Sequence, residues 1–122
     1  FYDEDRITQV LNNLLSNAIK FCPNQDGTIA IFVKETDKII EVAIEDNGKG
    51  IDENDFETVF DKFYQSSNQN IRKPVGSGLG LAICKKIIEH HNGKIWAENT
   101  KNSGARITFT IPKYSRSHQK NT

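Results

Sequence analysis

Asp46-Asn47-Gly48-Lys49-Gly50 is a carboxylate followed by two glycines one residue apart, set directly after the alternating run Ile40 to Glu45. Glycines in this spacing let the main chain turn through conformations that a Cβ forbids and let a flat ligand approach it closely. The aspartate supplies an acceptor at the wall of such a pocket. Alone, an Asp-Asn-Gly turn at the end of a strand is ordinary loop chemistry. Its neighbours give it weight: a helix striped with asparagine precedes it, and Gly76-Ser77-Gly78-Leu79-Gly80-Leu81 follows. Three elements in this order and spacing are hard to obtain by accident.

Upstream, Asp3 is a candidate N-cap, and Ile7, Val10, Leu11, Leu14, Leu15 and Ala18 form the apolar stripe of an amphipathic helix. Beside it run Gln9, Asn13, Asn17 and Lys20, which helical spacing aligns along one edge. Asparagine is a mediocre helix former, so two of them four apart invite an explanation. One is a solvated polar face. The sharper one is that two amides and an ammonium converge on a phosphate chain and its Mg²⁺, a cation that takes oxygen ligands and shares them with phosphate. Pro23 to Gly27 reads as a turn. Ile29, Ile31 and Val33, then Ile40, Val42 and Ile44, alternate as two strands joined at Asp37-Lys38, which sets the glycine motif at a sheet edge.

Downstream, Asp52 is a candidate N-cap for a short acidic helix leading to Phe60-Asp61-Lys62-Phe63-Tyr64, aromatics that serve either the core or the bracing of a loop. Residues 65–77 form a polar stretch with Arg72, Lys73 and Pro74, read as a lid. The second glycine run opens a helix with Leu79, Ile83, Cys84, Ile87 and Ile88 inward, and free amides at its N-terminus form an anion site. The Gly-x-Gly-x-Gly spacing and the proline-bearing loop before it exclude a dinucleotide fold, and the lack of Gly-Lys-Ser/Thr excludes a P-loop. Gly93 is expected to stop this helix with His90 and His91 in its last turn. Ile95 to Asn99 and Ile107 to Ile111 make a second hairpin, with Trp96 its largest apolar group.

At 122 residues the chain is one domain able to bury roughly two-thirds of its unfolded surface. Sixteen basic and sixteen acidic residues cancel, which removes a global field for nucleic acid. Cys22 and Cys84 are far apart without metal-ligand spacing and read as reduced, buried thiols of a cytoplasmic protein. No apolar run approaches a membrane span, which leaves open a parent anchored in the inner membrane. The start at Phe1-Tyr2 reads as an excised piece. Residues 1–112 are expected to be the domain, and 113–122 a basic, disordered tail.

In this order the elements resemble the catalytic ATP-binding domain of sensor histidine kinases, of the gyrase, heat-shock-chaperone and mismatch-repair ATPase superfamily. The asparagine box matches Asn13 to Phe21, the first glycine box Glu45 to Gly50, the phenylalanine box Phe60 to Tyr64 and the second glycine box Gly76 to Leu81. The resemblance implies an α/β two-layer sandwich of the Bergerat type, a mixed, mostly antiparallel sheet packed on about three helices. It implies that Asp46 accepts from the adenine amine, and that Gly48, Gly50, Ile51, Phe21, Phe60 and Phe63 shape that end of the ATP site. Asn17, helped by Asn13, would ligate Mg²⁺. Lys20, Arg72, Lys73, and Gly76, Gly78, Leu79, Gly80 and Leu81 would meet the phosphates. Two departures stand out: Gln65 where many relatives carry arginine, and Gly104-Ala105-Arg106 where a hydroxyl near adenine is common.

The resemblance further implies transfer of the γ-phosphoryl group to a histidine on a separate helical dimerisation domain, with a response regulator as the next partner. That helical pair is not in these residues, and the fragment itself is expected to be monomeric. The rival reading is a hydrolysing ATPase, but the water-activating glutamate of those relatives falls at Asn13, which cannot take a proton at neutral pH. A serine kinase of related fold and a nucleotide-sensing module without chemistry complete the range of functions open to such a chain.

Overall fold

The computed structural model describes residues 3–23, 25–61, 80–101 and 104–113. The lid, the tail from residue 114 on, and the candidates Phe63, Arg72, Lys73, Gly76, Gly78 and Leu79 lie outside them; Lys113, the first tail residue, instead pairs with Glu35 and donates its amide to the Lys38 carbonyl. Helix α1 spans Glu4–Phe21, strands β1 Ile29–Glu35 and β2 Ile39–Asp46, helix α2 Gly80–His90, and strands β3 Lys94–Asn99 and β4 Ala105–Pro112. Asp3 caps α1 as expected, its carboxylate accepting from the amides of Asp5 and Arg6. Glu4 and Asp5 in the first turn and Lys20 in the last complement the helix dipole.

The four strands are antiparallel in the order β1-β2-β4-β3. Their register puts Val42 and Ile44 of β2 beside Phe109 and Ile107 of β4, which in turn face Ile95 and Ala97 of β3. This face meets Val10, Leu14 and Ala18 of α1 and Cys84, Ile87 and Ile88 of α2, giving a two-layer α/β sandwich with one core. Ile31 and Val33 share that face through their partners Ile44 and Val42, yet they are 51% and 67% exposed. They sit on the edge strand, and the helices lie over β2, β4 and β3.

Several local expectations change. The Asp-x-Gly-x-Gly motif leaves the end of β2, which is an interior strand, not a sheet edge. The short acidic helix is two 3₁₀ turns, Glu53–Asp55 and Thr58–Phe60, with Asp52 capping the first through the Asn54 amide. Gly93 does not supply the left-handed residue ending α2. Asn92 does, at φ 64°, and the Gly93 amide then bonds back to the Ile88 carbonyl at 2.9 Å. Glycine is needed at 93 for another reason: a Cβ there would lie 2.0 Å from the Thr110 carbonyl oxygen of β4. Trp96 points to the outer sheet face and Ile83 is 37% exposed, so neither belongs to the core. Cys84 is buried, whereas Cys22 is only half-buried.

Candidate functional site

Asp46 is the last residue of β2 and only 7% exposed. One carboxylate oxygen accepts from the Gly48 amide at 2.8 Å and from the Ala105 amide of β4 at 3.4 Å. An aspartate two residues before a bonded amide is a self-made turn, and the neighbouring strand adds the second donor. Gly104 makes that approach feasible, because a Cβ on it would stand 1.9 Å from the Asp46 carbonyl oxygen. Gly48 is pressed against the end of α1 in the same way, with a virtual Cβ 2.1 Å from the Phe21 carbonyl oxygen. Gly50 takes φ 83°, a conformation that side chains rarely tolerate. Ile51 is then fixed by a reciprocal pair: its amide donates to the Asn99 side chain at 2.7 Å and its carbonyl accepts from it at 2.7 Å.

On the helical side, Asn13 and Asn17 are half-buried and Lys20 is exposed. The Asn13 side-chain amine donates to the carbonyl of Gly80 at 3.4 Å, so the asparagine stripe and the start of α2 meet. Phe21 ends α1 beside Gly48. The structure thus brings Asp46, Gly48 and Phe21 together at one end and Asn13 and Gly80 at the other, joined by the edge of α1. Leu81 and Ile51 are half-buried against the core. Phe60, at 5% exposure, is part of the core, where it sits beside Val59 in a 3₁₀ turn over α2.

Asn99 and Asn47 tie together segments around the candidate site, and the sequence alone does not point to either. Asn47 lies inside the quoted motif, where the pattern alone makes it a turn residue. Its side-chain oxygen accepts from the Thr28 amide at 2.8 Å, and its amine donates to the Asp26 carbonyl at 2.8 Å. The one available signal is the choice of an amide residue between the strand and the glycines. Arg106, the departure in β4, is turned to the outer face. Its guanidinium pairs with Glu45 at 3.1 Å and Glu98 at 3.7 Å and lies over the Phe32 ring at 5.7 Å from the centroid. Behind the asparagine stripe, burial pushes the Cys84 thiol up to about 11, with the Asn13 side chain opposing by a smaller amount. That thiol is inert packing at neutral pH.

Comparison with known proteins agrees with this geometry. The family model of histidine kinase-, DNA gyrase B- and HSP90-like ATPases matches residues 2–115, and the chain belongs to that family. Within it, the chain is 44% identical over 111 residues to the sensor histidine kinase WalK of Bacillus subtilis, covering 90% of this chain and 18% of that protein. Among solved structures, a mycobacterial sensor histidine kinase, MprB, superposes with a TM-score of 0.81 at 30% identity, covering 90% of this chain and 74% of that one. The histidine kinase ThkA, solved in complex with the response regulator TrrA, superposes with a TM-score of 0.71 at 38% identity, over 91% of this chain and 29% of that one. Among the described residues, no helix is long and apolar enough to cross a membrane.

Proposed function

We propose that this chain binds Mg-ATP and presents the γ-phosphate to a histidine on a separate helical dimerisation domain, within a cytoplasmic sensor histidine kinase unit that hands the phosphoryl group to a response regulator. The observation that carries the nucleotide half is Asp46: a buried carboxylate held by two main-chain amides beside glycines too close to the backbone for any side chain. A carboxylate so fixed suits the exocyclic amine of adenine and repels the oxygen that guanine puts at that position. Asn13 and Asn17 offer amide oxygens, the hard donors Mg²⁺ takes, and the bond from the Asn13 amine to Gly80 turns its oxygen half away from that carbonyl. A magnesium ion held there would neutralise phosphate charge. Lys20 and the N-terminal amides of α2 would orient the phosphate tail.

The chain spans 18% of its WalK relative, so kinase activity and partners come from the whole protein's context. Support for the regulator as a partner is the ThkA complex. Calorimetric titration tests the nucleotide half. Mg-ATP should bind much more tightly than Mg-GTP, and Asp46→Asn should cost about 1.5–3 kcal/mol of ATP affinity by losing a charge-assisted bond. Equal affinities for the two nucleotides would remove Asp46 from this role.

A further inference from the structure

Strand β1 begins at Ile29, which stands opposite Asp46 in the ladder, so the next residues outward are Thr28 and Asn47. Main-chain pairing does not continue there. The Asn47 side chain takes over, accepting from the Thr28 amide and donating to the Asp26 carbonyl, both at 2.8 Å. The Cys22 thiol points at the same side-chain oxygen from 3.7 Å, and Asp26 sits at φ 59°. With its side chain replacing its backbone in the ladder, the main chain at Asn47 can leave the sheet. It turns toward α1 until Gly48 meets the Phe21 carbonyl.

We infer that Asn47 is a positioning residue for nucleotide recognition: its amide ties the α1–β1 connection to the glycine turn and thereby sets Asp46 against the end of α1. Both hydrogen-bonding halves of the amide are used, and they run in opposite senses, so no other small side chain reproduces the pair. The change Asn47→Asp would keep the acceptor for Thr28 but set an oxygen against the Asp26 carbonyl. The groups that Asn47 aligns belong to different layers. Asp46 is on the sheet, and Asn13, Asn17 and Lys20 are on the helix, so a shift of the turn misaligns the adenine end relative to the phosphate end.

This inference rests on the ATP reading, and a double-mutant cycle separates the two. Titrations of ATP and GTP would be run on the wild-type chain, Asn47→Ala, Asp46→Asn and the double variant, each shown folded by circular dichroism. Asn47→Ala should lower ATP affinity roughly tenfold, the scale of one or two hydrogen bonds acting through alignment. GTP binding should change little, so the preference for ATP narrows. The double variant should bind ATP no worse than Asp46→Asn alone, because Asn47 acts through Asp46. Additive losses, or equal losses for ATP and GTP, would reduce Asn47 to a structural residue and overturn the inference. If the wild type prefers ATP and Asn47→Ala binds it unchanged, this inference alone fails; a wild-type chain that does not bind ATP overturns both. Should Asn47→Ala not fold, Asn47→Asp carries the same cycle with the same expected non-additivity.

Discussion

At the scale of single residues, Cys84 shows how burial and charge decide behaviour. The folded chain holds the thiol proton up to about 11, against an ordinary value of 9.0, chiefly because burial penalises the thiolate. The native state therefore binds the proton more tightly than the unfolded chain. Its contribution is complete below about pH 9 and is lost as pH rises toward 11, a swing of roughly 2–3 kcal/mol. Denaturant melts of the wild type and Cys84→Ala should show a stability gap at pH 8 that narrows by pH 11. A gap independent of pH would contradict the buried thiol. Local chemistry of this kind was partly legible: Asp3 as a cap and Asp46 as an acceptor follow from short-range rules. Asn92 and Gly93 were not, because the reason for the glycine is the Thr110 carbonyl on another strand.

Among the elements, the sheet has two unlike faces. Inward lie Ile44, Ile107, Phe109 and Ile111; across the outer face one row runs Phe32, Ala43, Thr108, Trp96 in register. Thr108 is 1% exposed on a central strand, and among the described residues its hydroxyl has no hydrogen-bond partner. An unsatisfied buried hydroxyl is costly, and valine fills the same volume with strong strand preference. Thr108→Val should raise unfolding stability by about 1 kcal/mol, read as a shift of the urea midpoint at constant slope. A lowered midpoint would mean the hydroxyl is satisfied in solution. Periodicity made α1, the hairpin of β1 and β2, and the pair β3 and β4 readable in advance. It could not say that β2 pairs with β4, which decides that Ile31 and Val33 end on an edge and stay exposed. Nor could it place Trp96, since alternation alone does not tell which face a helix will cover.

For the molecule as a whole, the candidate site draws on both layers, and the kinase proposal turns on where the phosphoryl acceptor comes from. Binding ATP equally well before and during transfer lowers no barrier, and an in-line acceptor has to come from elsewhere. Incubated with γ-labelled ATP, this chain alone should release little phosphate and carry no label. Added helical dimerisation domain should acquire acid-labile, base-stable phosphate on its histidine, and Asn17→Ala should abolish that transfer. Rapid phosphate release unaffected by the added domain would favour the ATPase reading instead. The order of motifs revealed this architecture; the clasps at Asn47 and Asn99 stayed hidden because each joins segments whose proximity only the fold creates.

One contact also bears on how the chain folds. The amide of Asp3, ahead of α1, donates at 3.1 Å to the ring of His91, just past α2, and 88 residues separate them. The His91 ring in turn donates to the Ile87 carbonyl at 2.8 Å, so it serves as a bracket between the first helix and the last. The apolar face of α1, Val10, Leu14 and Ala18, is buried only by elements that come later in the chain. Their cover comes from β2 and, much further along the chain, from α2. Non-local closure of this sort slows folding and prolongs exposure of apolar surface, so the apolar face of α1 stays partly uncovered until α2 docks on it.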